Sequence, residues 1–244
     1  MDPSERGAAI VCFSAGASFT VGAALVPAGI YCIWSAALKK PSYLGLASAP
    51  LFFGIQQIGE GFVWHALNHG TDPRAASLFF LFFALAFWPF WFPVLTTMME
   101  PQPGRKTLFA VLSLLATAWF WILFYPLVVG PESLLKTEVD HHSLAYRYED
   151  LTIYQYISKT TLRVFYFLSV ALPPLLGSET WGRLPGLVLA ASALVAAVVY
   201  HYAFVSVWCF FAAVLASYLV YVFYRLPMPH AARLGSAQSP APSR

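Results

Sequence analysis

Long apolar stretches alternate along the chain with short polar or turn-forming breaks, and this pattern predicts membrane-spanning helices. A helix that crosses a bilayer needs about 20 mostly apolar residues. Five stretches meet this requirement between glycine, proline and charged breaks, and they cover about residues 14–38, 43–67, 76–98, 107–129 and 160–176. A sixth apolar stretch follows, from residue 184 to residue 224.

This last stretch is too long for one crossing, because a helix of that length would measure roughly 60 Å, twice the hydrocarbon thickness. Its most polar part lies at Tyr200 to Ser206, where we expect the chain to turn. The pattern therefore predicts an all-α, polytopic membrane protein with a seven-transmembrane-helix bundle over residues 14–226. Residues 1–13 form an N-terminal segment, and residues 227–244 are expected to be a disordered cytoplasmic tail.

The polar connection between the fourth and fifth helices has a different pattern. Its segment TEVDHHSLAYRYED, residues 137–150, alternates in part between apolar and polar positions. Such alternation is typical of short strands, so we expect a β-hairpin-like segment on the outer face of the bundle.

Composition supports the membrane assignment. Of the 244 residues 59% are hydrophobic and 10% are charged, with a mean hydropathy of +0.66, whereas soluble domains carry about 25% charged residues. We therefore expect the protein to have a lipid bilayer as its partner. The net charge of +3 is scattered, so no basic patch for nucleic acid exists. Retinal is excluded as a cofactor because no lysine lies within a predicted span to form a Schiff base.

Lysine and arginine counts predict the orientation. One side holds more of them in short loops, among them Lys39, Lys40, Arg105, Lys106 and Arg183. By the positive-inside rule this side is cytoplasmic, which places the N-terminus outside and the C-terminus inside. The expected location is the bacterial inner membrane, with multiple crossings.

The second span contains an unusual polar group in FGIQQIGEGFVWHAL, residues 53–67. At 100° per residue, Gln56, Gln57, Glu60 and Trp64 share an arc of about 100°. This arc should face the bundle, since a carboxylate exposed to lipid costs roughly 2.5 kcal/mol or more. Glu60 is then either a buried ligand, proton acceptor or substrate anchor, or a protonated residue that holds two helices together.

The predicted order of membrane crossings places most of the chain's cysteines and histidines on the same side of the membrane as Glu60. A metal site for zinc or copper would draw on Cys12, Glu60, His65, His201 and Cys209. His65 points about 140° away from Glu60 around the helix axis, which weakens a Glu-His pair. The alternatives are interfacial histidines, a solvated His141-His142 pair, and cysteines that are inert or form a disulfide.

Four segments carry a family resemblance: CFSAGASF (12–19), QQIGEGFVW (56–64), WPFWFP (88–93) and SVWCFFAA (206–213). They resemble an uncharacterised family of bacterial multi-spanning membrane proteins whose members begin Met-Cys-Phe-Ser-Ala. The resemblance adds Trp208 to the pocket positions. It also suggests that Val11 is the true start of the chain, which would leave Cys12 next to the N-terminus.

Three kinds of function remain open from the sequence. The first is a membrane protein of unknown function with a polar pocket on its outer side that binds a metal or small ligand for transport. The second is a membrane-embedded, metal-dependent hydrolase acting on lipid, for which Ser14, Asp140 and the histidines are candidates. The third is a sensor or structural subunit of a membrane complex.

Overall fold

The computed structural model describes residues 14–140, 142–179, 183–199 and 203–227, and in this part the chain forms seven long helices. Their bounds are α1 Ala15–Lys39, α2 Ala49–Asn68, α3 Arg74–Met99, α4 Pro103–Val129, α5 Lys159–Leu176, α6 Arg183–Val199 and α7 Phe204–Arg225. Short helical turns at Pro41–Tyr43 and Leu44–Ala47 connect α1 to α2. The turn predicted between the last two helices falls mainly on residues 200–202, which lie outside the described residues; α6 is described to Val199, and α7 begins at Phe204.

Four of the helices, α1, α3, α4 and α7, are long and apolar enough to cross a membrane. The polar residues Gln56, Gln57 and Glu60 lower the hydropathy of α2, and α6 has only a shorter apolar segment, Gly186–Val199. A membrane-type helical bundle is thus supported, whereas seven crossings stay a prediction. The N-terminal segment to residue 13 and the tail from residue 228 lie outside the described residues.

The predicted hairpin is confirmed. Strands β1 (Lys136–Asp140) and β2 (Ser143–Arg147) pair antiparallel, with Val139 opposite Leu144. Leu144 packs against Val63 and Trp64 of α2, and Tyr146 stacks on Phe80 of α3 with ring centroids 5.1 Å apart. Because Leu144 and Tyr146 lie two residues apart, they share the face of the strand that covers the bundle.

Helices α3 and α4 each contain a wide, π-helical turn next to a proline. One runs over Phe82–Phe87, just before Pro89, and a second runs over Phe120–Phe124 in α4, just before Pro126. Each proline lacks an N–H and its ring clashes with the carbonyl four residues earlier, which lies inside the widened turn. The two wide turns contact each other. Such turns are frequent at functional sites.

Helices α1 and α2 approach each other through glycines. A β-carbon at Gly22 would lie 2.9 Å from the carbonyl oxygen of Gly54, and one at Gly54 would lie 2.9 Å from the amide nitrogen of Val26. Only glycine permits this backbone contact. It places Ser18, one turn before Gly22, beside the polar part of α2.

Candidate functional site

Glu60 is buried where three helices meet. Its side chain in α2 is 2% exposed. The Ser206 hydroxyl in α7 donates to its Oε1 at 2.5 Å, and the Ser18 hydroxyl in α1 makes a longer contact to its Oε2 at 3.5 Å. The carboxylate therefore connects α1, α2 and α7 through oxygen atoms.

The two neighbouring amides are less well satisfied. Gln56 Oε1 accepts a hydrogen bond of 2.7 Å from Trp88 Nε1 in α3, but its Nε2 has no partner among the described residues. Gln57 is fully buried, and neither of its amide atoms has a partner there. Leaving a buried donor or acceptor without a partner costs about 1–3 kcal/mol. This part of α2 thus contains three buried amide atoms that have no hydrogen-bond partner among the described residues.

A cavity of about 110 Å³ lies next to this cluster, under the hairpin. We call it the hairpin-end cavity. Its wall comes from the hairpin, the connection after it and helices α3, α4, α5 and α7. The wide turns contribute Ala84, Leu85 and Leu123, and the aromatic part consists of Trp119, Tyr146, Tyr148, Tyr154, Tyr166, Phe204 and Trp208.

Two hydrogen-bonding groups on this wall have no partner among the described residues. They are the hydroxyl of Tyr146 and the indole N–H of Trp119, and both atoms are buried. Burial raises the pKa of Tyr146 well above its ordinary value. Burial also raises the pKa of Tyr154 to about 12, with Arg163 opposing the rise. Both phenols therefore keep their protons at neutral pH and can donate hydrogen bonds.

Charged residues surround the cavity where it reaches the surface. Lys159, at the start of α5, pairs with Glu149 at 3.1 Å. Arg163 lies one turn further along α5 and forms no ion pair within the described part of the chain. The rim thus has two positive charges and one negative charge.

Glu60 lies behind the cavity wall and not on it. Tyr146 and Cys209, which both line the cavity, lie within electrostatic reach of Glu60. The buried polar cluster and the cavity are therefore neighbours at the same end of the bundle.

The remaining pocket residues predicted from sequence pack in the core. Trp64 is buried against Leu144 of the hairpin. Trp208 lines the cavity, and its Nε1 donates to the carbonyl oxygen of Leu189 in α6 at 3.2 Å. The structure thus places Glu60 and Trp208 near one cavity and uses Trp64 to support the hairpin.

The predicted metal residues come together only in part. Cys12 and His201 lie outside the described residues. Cys209 is buried near Glu60, but His65 lies on the exposed face of α2, where its ring packs on His69 at 4.1 Å. No three His, Cys, Asp or Glu side chains within the described ranges lie close enough to hold a metal ion.

The candidates for a hydrolase have structural roles. The Ser14 hydroxyl caps α1 by accepting from the amide of Ala17 at 3.2 Å. Asp140 pairs with Arg147 across the hairpin at 3.2 Å. His142 is exposed at the hairpin turn, with φ of 60°, and His141 lies outside the described residues.

Four residues of the site were missed from sequence: Ser18, Ser206, Tyr146 and Trp119. Ser206 was counted in the expected turn, although it lies in the first turn of α7. A usable signal existed for Tyr146, because its spacing from Leu144 places both on the face of the strand that packs on the bundle. Ser18 and Trp119 carry no comparable signal, since serines and tryptophans are common in apolar helices.

Comparison with known protein families matches residues 11–234 to DUF6629, described as a family of unknown function. The resemblance to an uncharacterised family is thereby confirmed. No curated protein and no solved structure matches the chain.

Proposed function

The chain belongs to the DUF6629 family of unknown function, and we propose that it is a membrane protein that binds a small, largely apolar carboxylate in the hairpin-end cavity as the recognition step of transport. The observation that carries this proposal is a pair of buried groups on the cavity wall that have no hydrogen-bond partner among the described residues, Tyr146 Oη and Trp119 Nε1. Both groups can donate a hydrogen bond, so a molecule that binds in the cavity should carry a hydrogen-bond acceptor.

The size of the cavity supports a guest no larger than an aromatic ring or a branched alkyl group. Its volume of about 110 Å³ is of the order of an engineered apolar cavity of about 150 Å³ that holds benzene. The aromatic wall favours an apolar body for the guest, because burying apolar surface drives such binding.

The charge of the rim supports an anionic group on that guest. Lys159 and Arg163 outnumber Glu149 at the opening, and Arg163 forms no ion pair with another described residue, so it can pair with a carboxylate of the guest. Arginine suits this role because its fork of N–H groups matches the two oxygens of a carboxylate. An amine would instead meet two positive charges.

A titration of the purified protein with three ring compounds of matched size tests the proposal. Trp119 and Trp208 line the cavity, so tryptophan fluorescence reports its occupation. We expect benzoate to produce a saturable change, benzamide a weaker one and benzylamine none. Tyr146→Phe should weaken benzoate binding about five-fold, the effect of one hydrogen bond of about 1 kcal/mol.

The matched control is Tyr156→Phe, which removes a hydroxyl from a tyrosine that is 79% exposed in the same connection. Benzoate affinity should not change in this variant. Equal affinities for benzoate and benzylamine, or no benzoate binding, would contradict the proposal.

The membrane location and orientation belong to the same proposal. Four helices suited to crossing a membrane support an integral membrane protein, and the lysine and arginine count favours a bacterial inner membrane with the cavity facing outward. Val139→Cys, at an exposed hairpin position, should react with a membrane-impermeant maleimide on intact cells in a Cys12→Ala background. Reaction only after the cells are opened would show that the hairpin lies on the cytoplasmic side, which contradicts the proposed orientation.

A further inference from the structure

Among the described residues, no cationic side chain is a partner of the Glu60 carboxylate. The groups that face it come from three helices and the hairpin, and they are Ser18, Gln57, Ser206, Tyr146 and Cys209. None of these side chains is a cation. A buried carboxylate is strongly disfavoured unless a proton or a cation accompanies it.

Gln57 gives an independent indication of a missing component. It is fully buried one helical turn before Glu60, with its amide beside the carboxylate. Neither its amide oxygen nor its amide nitrogen has a hydrogen-bond partner among the described residues. A bound proton on Glu60 would neutralise the carboxylate, and its O–H could donate to the amide oxygen of Gln57. A cation bound between the two side chains would balance the same charge and take that oxygen as a ligand, but only the cation would make stability depend on sodium.

We propose that Ser18, Gln57, Glu60 and Ser206 form a binding site for a monovalent cation, Na⁺. The set supplies two carboxylate oxygens, two hydroxyl oxygens and one amide oxygen. Oxygen-only sets suit hard cations, in contrast to the sulfur and imidazole ligands that zinc and copper favour. One carboxylate balances one positive charge, whereas a divalent ion would leave an unpaired charge in the bundle.

The position gives this cation a structural consequence. Its ligands come from α1, α2 and α7, so its binding joins three helices behind the wall of the hairpin-end cavity. The proposal does not depend on what the cavity binds, because none of the four ligands belongs to the cavity wall.

Thermal unfolding of the full chain in detergent tests the site. The midpoint is measured at one pH and constant ionic strength, while NaCl replaces choline chloride in steps. A ligand that binds only the folded state raises the free energy of unfolding, and once its concentration exceeds Kd this rise grows with the logarithm of the concentration. We therefore expect the midpoint to rise with Na⁺, and to rise less when KCl replaces NaCl.

Three variants assign this rise to the site. Glu60→Gln should abolish it, while Gln57→Leu and Ser206→Ala should each weaken the apparent Na⁺ affinity at least about ten-fold, since in other metal sites even the loss of a residue that only supports a ligand costs about ten-fold or more. The last two changes keep the test informative if Glu60→Gln fails to fold. The control is Glu100→Gln, which changes a second acid that is buried in the described part of the chain; this variant should keep the full response.

Two outcomes would overturn the proposal. One is equal midpoints in sodium and choline for the wild-type chain, which would leave a proton as the companion of Glu60. The other is a sodium response that persists unchanged in both Gln57→Leu and Ser206→Ala. Neither outcome bears on benzoate binding, which the fluorescence titration measures separately.

Discussion

Two acids are buried in the described part of the bundle, Glu60 near the hairpin end and Glu100 at the opposite end, and their surroundings differ. Glu100 is 4% exposed, nearly as buried as Glu60. It accepts hydrogen bonds from the amide of Ser178 at 2.8 Å, the hydroxyl of Ser178 at 2.5 Å and the amide of Gln102 at 3.0 Å. Its carboxylate joins the loop after α3 to the loop after α5.

The difference also appears in the charges near Glu100. Burial alone would raise the pKa of Glu100, but the hydrogen bonds from Ser178 and Gln102 and the nearby Arg105 lower it below its ordinary value. Within the described part of the chain, Glu60 has two serine hydroxyls as partners, a glutamine beside it whose amide makes no hydrogen bond, and no cationic side chain. Burial alone therefore does not distinguish an acid with a structural role from an acid at a proposed binding site. The distinction lies in whether the carboxylate already has all the hydrogen-bond and charge partners that it needs.

The cavities at the two ends differ in a similar way. The opposite-end cavity has about 80 Å³ and is lined mainly by apolar residues, with Tyr43, Thr96 and Glu100 among its wall residues. The hydroxyl of Tyr43 has no hydrogen-bond partner there among the described residues. At the hairpin end, two cavity-lining groups and the side-chain amide of the neighbouring Gln57 all lack hydrogen-bond partners in the described part of the chain.

The largest effect should come from Glu100→Ala. This change leaves the amide and hydroxyl of Ser178 and the amide of Gln102 without their acceptor, and we expect it to lower the free energy of unfolding by about 3 kcal/mol. Denaturant titration in detergent measures this loss.

Gln57→Leu is the matching change at the hairpin end. It removes two unpaired amide atoms, so in sodium-free buffer we expect a change within about 1 kcal/mol. Losses of similar size in Glu100→Ala and Gln57→Leu would remove the distinction between the two ends.

A loss between those of Glu100→Ala and Gln57→Leu is expected from Gly54→Ala, which tests how Ser18 reaches Glu60. The new methyl group would lie 2.9 Å from the backbone nitrogen of Val26 and separate α1 from α2, at a cost of about 2 kcal/mol. Gly104→Ala is the control, since nothing lies within 4 Å of the added carbon. A neutral Gly54→Ala would show that the glycine contact does not fix this pair of helices.

The smallest effect should appear in the pH dependence. Folding lowers the pKa of Glu100 from its ordinary value of 4.5. Its contribution to stability is therefore present above about pH 4.5 and is lost as the pH falls toward the folded-state pKa. Stability of the wild-type chain should decrease more steeply below this pH than that of Glu100→Gln. Parallel curves would show that Glu100 is not held as an anion.

The helices and the hairpin could be predicted from sequence because both follow from local periodicity. Long apolar runs specified the helices, and the alternation around Leu144 and Tyr146 specified the hairpin. The inward position of Glu60 also followed, since a carboxylate avoids lipid.

The partners of Glu60 could not be predicted in the same way. Ser18 and Ser206 lie 42 and 146 residues away from it along the chain. Their approach depends on glycine contacts between α1 and α2 and on the exact start of α7. Hydrophobic periodicity does not determine which side chains meet across helices.

The central claim is that the hairpin end binds a small carboxylate and the opposite end does not. Equilibrium dialysis of labelled benzoate against two cavity-filling variants tests it most directly: Ala84→Leu fills the hairpin-end cavity, and Thr96→Leu fills the opposite-end cavity. We expect Ala84→Leu to lose benzoate binding and Thr96→Leu to bind as the wild-type chain does. Unchanged binding in Ala84→Leu, or loss in Thr96→Leu alone, would contradict the account.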